Sequence, residues 1–176
     1  MRTLLVLFTL ALSAPSWARE SVDEIRTELV QSVNQNRWAQ AERAFDQLSD
    51  ANAKLTQADW IMGAQAARAL GDMTSARERL VQSLKQEDNE AVREELAAID
   101  AEWSSVSLKL PGRHEGAVPL RPRMPFVDPV QRLCLEAAKK LLQDTGQYQG
   151  LLPIGGYRFG EGEFEVLPSE HTKAKL

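Results

Sequence analysis

The sequence predicts an α+β fold, mainly α: a short array of helical hairpins with about five helices, then a small β-rich module containing one helix. Three observations carry this reading. Between Val22 and Trp103, apolar residues recur at spacings of three and four, the period of an amphipathic helix. Of the eighteen glycines and prolines, fifteen lie after Trp103, so helix breakers gather in the second part. The first part also superimposes on itself at an offset of 35 residues.

Residues 1–18, MRTLLVLFTLALSAPSWA, read as a secretory signal peptide. Arg2 supplies the positive start, Leu4–Leu12 the apolar run, and Ser16 and Ala18 the small residues before the cut. Nine apolar-run residues fall well short of the roughly 20 that span a bilayer. The rival reading is an ordinary first helix. Cleavage near Ala18 implies a mature chain that is periplasmic or secreted, with no transmembrane segment.

Helices are expected at 21–34, 37–48, 56–70, 73–86 and 90–103. Thr56 and Asp59 resemble a capping box with a shortened acid, and Gly71 sits where a helix C-terminus favours positive φ. The stretch Asn36-x-Trp38-x-x-Ala41-x-x-x-Phe45-x-x-Leu48 aligns with Gly71-x-Met73-x-x-Ala76-x-x-x-Leu80-x-x-Ser83. Ile25 and Leu29 align with Trp60 and Ala64 of the preceding helix. Small residues at Ala41, Ala64 and Ala76 suit close helix crossings.

The second module, 104–168, is expected to open with a strand at 105–110 and a turn at 111–116. A short strand at 117–120 and the extended segment Arg121-Pro-Arg-Met-Pro-Phe126 follow. Asp128-Pro129 starts a helix that runs to about Gln143, ended by Asp144-Thr-Gly146. Tyr148–Leu152 and Tyr157–Phe159 read as strands around the turn Pro153-Ile-Gly155-Gly156, with Phe164–Leu167 as another. Residues 169–176 are expected to form a flexible tail.

The spacing Trp60-x-x-Gly63-Ala64-x-x-Ala67-x-x-x-Gly71-x-Met73-x-x-Ala76-x-x-x-Leu80 resembles the tetratricopeptide repeat, whose period is about 34. The resemblance covers about 80 residues, the domain 19–103. The family's aromatic at the end of the first helix is Ala67 here and Ser32 in the first repeat, and its closing proline is missing from both. The resemblance implies a stack of hairpins with a concave face that holds a peptide or partner helix; helix 90–103 then caps the stack. The segment Gly150–Gly160 followed by Phe164-Glu-Val166 is similar to the last hairpin of PEGA or carboxypeptidase-regulatory modules.

Composition narrows the function. With 21 basic and 25 acidic residues the formal net charge is −4, which gives no general pull toward nucleic acid. The balance is uneven: 10 basic and 17 acidic residues over 19–103, against 10 and 8 over 104–176. One cysteine, Cys134, excludes an intrachain disulfide and a multi-cysteine metal site. It falls in the apolar stripe of a helix and reads as a small buried hydrophobe. His114 and His171 stand alone, Glu161, Glu163 and Glu165 read as a solvated edge, and neither a metal site, a cofactor nor a catalytic set is expected. The expectation is a non-enzymatic protein–protein interaction or scaffold protein of the envelope, with a protein or peptide partner and a possible homo-oligomer. Its groove residues would be Gln31, Gln35, Gln57, Gln65 and Arg68, polar side chains suited to peptide backbone. A plain spacer is the alternative use of the helices. A second functional reading gives the basic Lys109, Arg113, Arg121, Arg123 and Arg132 to an anionic glycan.

Overall fold

The computed structural model describes residues 21–110 and 117–175. The signal-peptide reading and the turn at 111–116, with Arg113 and His114, lie outside the described residues. The fold is α+β and mainly α. Five helices come first: α1 (Val22–Asn34), α2 (Trp38–Asp50), α3 (Gln57–Ala69), α4 (Met73–Gln86) and α5 (Glu90–Glu102). Then follow β1 (Trp103–Lys109), β2 (Leu120–Pro122), α6 (Pro129–Thr145), β3 (Gln147–Pro153), β4 (Gly155–Phe159), β5 (Gly162–Val166) and β6 (Thr172–Lys175). Among the described residues no helix is long and apolar enough to cross a membrane.

The 35-residue offset is written into the helix ends. Ser21 and Glu24 form a capping box on α1, and Thr56 and Asp59 form one on α3. Each helix then stops in the same way. The Arg37 amide donates to the Ser32 carbonyl and the Asp72 amide to the Ala67 carbonyl, each across a residue in the left-handed region, Asn36 (φ 54°) and Gly71 (φ 84°). The pattern recurs where the Ala53 amide meets the Leu48 carbonyl across Asn52.

Packing follows the repeat. Ala41, Ala64 and Ala76 are buried, as close crossings require. At Gly63 the constraint is tighter: a Cβ there would enter the ring of Phe45. That ring also meets Trp60 edge-on at 5.4 Å and carries the Arg79 guanidinium 4.1 Å above its centre. Arg79 donates two bonds to the Glu42 carboxylate, at 2.6 and 2.7 Å, and one to the Gly63 carbonyl at 2.7 Å. One side chain thus ties α4 to α2 and α3. Arg26 joins α1 to α3 through Asp59 at 3.1 Å.

The β-strands form two three-stranded sheets. Sheet A has the order β3-β1-β6, with β1 antiparallel to β3 and parallel to β6. Sheet B has the order β2-β4-β5 and is antiparallel. Three expectations are corrected here. Residues 172–175 are not a flexible tail but strand β6, because Val106 and Leu108 offer β1's free edge and Ala174 packs on the core. The strands on either side of Pro153-Ile-Gly155 do not pair with each other. The chain turns at Gly155 (φ 145°) and passes from sheet A to sheet B, while the Ile154 amide donates to the Glu102 carbonyl. The third concerns the boundary near 103, which marks a change from helix to strand without dividing the core. One apolar cluster runs from Ala64, Met73 and Leu80 through Ile99 and Trp103 to Leu152, Tyr157 and Phe159. The α1–α2 pair has a separate, smaller cluster around Leu29, Phe45 and Leu48.

Gly63→Ala should therefore destabilise the fold by about 1–3 kcal/mol through overpacking, measured by denaturant unfolding. Adding Phe45→Leu to Gly63→Ala should recover part of that loss, since the two positions share one space. Strict additivity of the two changes would refute the crossing described.

Candidate functional site

Two of the five helical residues expected to line one groove, Gln57 and Arg68, make contacts between helices. Gln57 donates to the Ser83 and Glu87 carbonyls at the end of α4, at 3.4 and 2.7 Å, so it closes a helix terminus. Arg68 is paired with Glu95 of α5 at 3.1 Å. Gln65 is exposed on α3. Gln31 and Gln35 do come together, in an open depression of about 630 Å3 with Asp23, Glu24, Glu28 and Arg37. The repeat explains this position. Gln31 is the counterpart of Ala66, which is buried against the first hairpin's cluster; nothing among the described residues precedes α1 to cover Gln31.

The basic set is also dispersed. Lys109 ends β1, Arg121 lies on β2, and Arg132 lies on α6. Arg121 stands opposite Arg158, whose guanidinium is taken by Glu163 at 2.9 Å. The Arg123 guanidinium is 3.8 Å from Glu165, and its side chain passes over Gly156. Of the acidic strand residues, Glu163 and Glu165 thus face arginines.

Two features escaped the sequence reading. The first is the strap 122–128. Pro122 and Pro125 fix φ at two of its positions, while Phe126 turns inward against the Tyr157 ring at 6.2 Å. Met124 and Val127 are left 80% and 91% exposed. They border a largely apolar depression of about 740 Å3 with Phe126, Ile154 and Tyr157. Unpaired β-structure and alternating prolines are the sequence signal; exposure of the two apolar side chains depends on the fold. The second is His171, whose Nδ1 lies 2.9 Å from the Ser105 hydroxyl and whose Nε2 lies 3.0 Å from the Ser107 hydroxyl. Parallel pairing of β6 with β1 makes both contacts, and a lone histidine in the sequence gives no sign of them.

Cys134 is buried on α6 and its thiol donates to the Leu151 carbonyl at 3.3 Å. The Tyr148 hydroxyl donates to the same oxygen at 2.8 Å. Burial pushes the thiol up to about 12 and raises the Tyr148 and Tyr157 hydroxyls as well. A thiol held this high stays protonated through neutral pH and is a poor nucleophile. Among the described residues no group of three or more histidine, cysteine or acidic side chains is arranged to hold a metal ion. The folded protein should accordingly resist aromatic disulfide reagents at pH 8 and release one thiol equivalent only on denaturation. Rapid stoichiometric labelling of the native protein would contradict the burial of Cys134.

No family model, no curated protein and no solved structure matches this chain.

Proposed function

We propose that the chain is an exported, non-enzymatic interaction protein of the cell envelope. Its tetratricopeptide-like hairpins serve as the frame, and its principal contact surface is the strap 122–128. The observation that carries this reading is the exposure of Met124 and Val127 beside an apolar depression. Scattered apolar side chains are common on surfaces, but two large ones projecting almost fully from a proline-braced strap beside an apolar hollow mark a contact site. Its two prolines restrict the backbone before binding, which lowers the ordering cost of association. Its partner would be a protein or peptide that fills the hollow with an apolar side chain.

The helical face is a weaker contact surface. Gln57 and Arg68 already serve bonds between helices, leaving Gln65 alone and Gln31 with Gln35 at the outer end of the array. Export rests on the character of residues 1–18, and a periplasmic location on the style of that leader.

In a capture experiment from envelope extract, Met124→Asp with Val127→Asp should abolish recovery of the partner. The same pair should change folding stability by no more than ~0.5 kcal/mol, as exposed substitutions do. Gln31→Ala with Gln35→Ala should leave capture intact. The reverse outcome, capture lost with the glutamine pair and kept with the strap pair, would move the site to the first hairpin.

A further inference from the structure

The outer face of sheet A gathers three cations from strands remote in sequence, Lys109 on β1 with Lys173 and Lys175 on β6. Lys109 has Gln147 as its partner across β3 and Lys175 as its partner across β6. In the next row Ser107 stands between Gln149 and Lys173. Neighbouring strands lie ~4.8 Å apart, and alternate residues along a strand ~6.7 Å apart. Partners across a ladder share a face, and the contacts of His171 with Ser105 and Ser107 fix which face this is. Val106, Leu108 and Ala174 point the other way, into the core. All three lysines are exposed.

The arrangement is electrostatically unfavourable as it stands. Like charges directly opposite on neighbouring strands repel. Among the described residues, no hydrogen bond or ion pair engages the ammonium groups of Lys109, Lys173 or Lys175. Glu78 lines a depression with Ser105, Gln149 and His171, beside the Ser107 row, and Glu170 lines another with Ser104 and Ser105. Lys139 and Lys140 of α6 and the arginines Arg123 and Arg158 each have a carboxylate partner; among the described residues these three lysines have none. The two rows therefore form a positive strip with neutral donors and acceptors along one side.

We propose that this strip binds a linear acidic polysaccharide, a contact separate from the strap. The ammonium groups meet its carboxylates or sulfates. Ser107, Gln147 and Gln149 meet its hydroxyls, because a hydroxyl and a primary amide both donate and accept. The composition favours a glycan over other anions. A membrane-docking surface adds apolar side chains that enter the lipid, and the two lysine rows carry none. A single-stranded nucleic acid wants aromatic rings on which bases stack, and these rows contain no aromatic residue.

The test uses the full exported chain on immobilised polygalacturonate, with dextran, polyglutamate and anionic phospholipid vesicles in parallel. Retention on polygalacturonate is expected at low ionic strength, and elution by roughly 0.3 M salt as exposed charges are screened. Lys109→Gln, Lys173→Gln and Lys175→Gln together should weaken binding at least about tenfold, while the three Lys→Arg changes should preserve it. Lys139→Gln with Lys140→Gln on α6 should have no effect. The proposal falls if the wild type is not retained at low salt, or if the triple Gln variant binds as well as the wild type. It also falls if polyglutamate or the vesicles bind more tightly than the polyuronate. Self-association of the Gln variant with undiminished retention would assign the lysines to protection of the β6 edge instead, and that too overturns it.

Discussion

The fold depends on the crossing of α2 and α3 at Phe45 and Gly63, and on Arg79 that seals it. A residue with any side chain at position 63 would force the ring of Phe45 outward. With glycine there, the ring lies close to the α3 backbone and leaves one face for the guanidinium at 4.1 Å. Arg79 then spends its donors on Glu42 and on the Gly63 carbonyl. Burying a guanidinium is costly unless it is both paired and hydrogen-bonded, and loss of one partner of such a pair costs roughly 3–5 kcal/mol. The arrangement is all or nothing, so it fixes the register of three helices rather than merely adding contact area.

The remaining elements close the array. A stack of hairpins has an apolar end that needs a cover. Here α6 and sheet A provide it for α3 and α4. Gly71 turns the chain at the end of α3 and lies so near the backbone of Leu133 and Cys134 that a Cβ would collide with it. The Thr74 hydroxyl of α4 accepts the Leu151 amide of β3 at 2.9 Å, satisfying a donor at the sheet's edge. Sheet B extends the same core through Tyr157 and Phe159. The β-rich part is a cap grown from the array and shares its core.

Which parts could be read from the sequence follows from the range of the interactions. Helix ends are local: a serine or threonine with an acid three residues on, and a glycine or asparagine at the stop, are visible in four to six residues. The 35-residue offset then doubles each signal, so five helices were legible to within two residues. Strand existence was mostly legible through alternation and prolines, but partners were not. Tyr148–Leu152 and Tyr157–Phe159 look like a hairpin because only four residues part them; a glycine at positive φ sends them to different sheets. Thr172–Lys175 is short and polar, and its strand character comes from β1, 66 residues earlier. Gln57 and Arg68 looked free because their acceptors, Ser83, Glu87 and Glu95, lie in other helices.

Charge that is clustered in the sequence is likewise not clustered on the surface. Lys109, Arg121, Arg123 and Arg132 look like a basic region because they are close in number. The fold then sets Arg121 on β2 beside the Arg158–Glu163 pair, Arg123 on the strap near Glu165, and Arg132 on α6. Lys173 and Lys175 look like a polar tail, yet parallel pairing sets them beside Lys109 with no carboxylate between. A parallel ladder brings residues of equal alternation to the same face, so lysines spaced by two on β6 must meet whatever β1 presents there. β1 presents two serines and a lysine, and the positive strip is the direct consequence of that register.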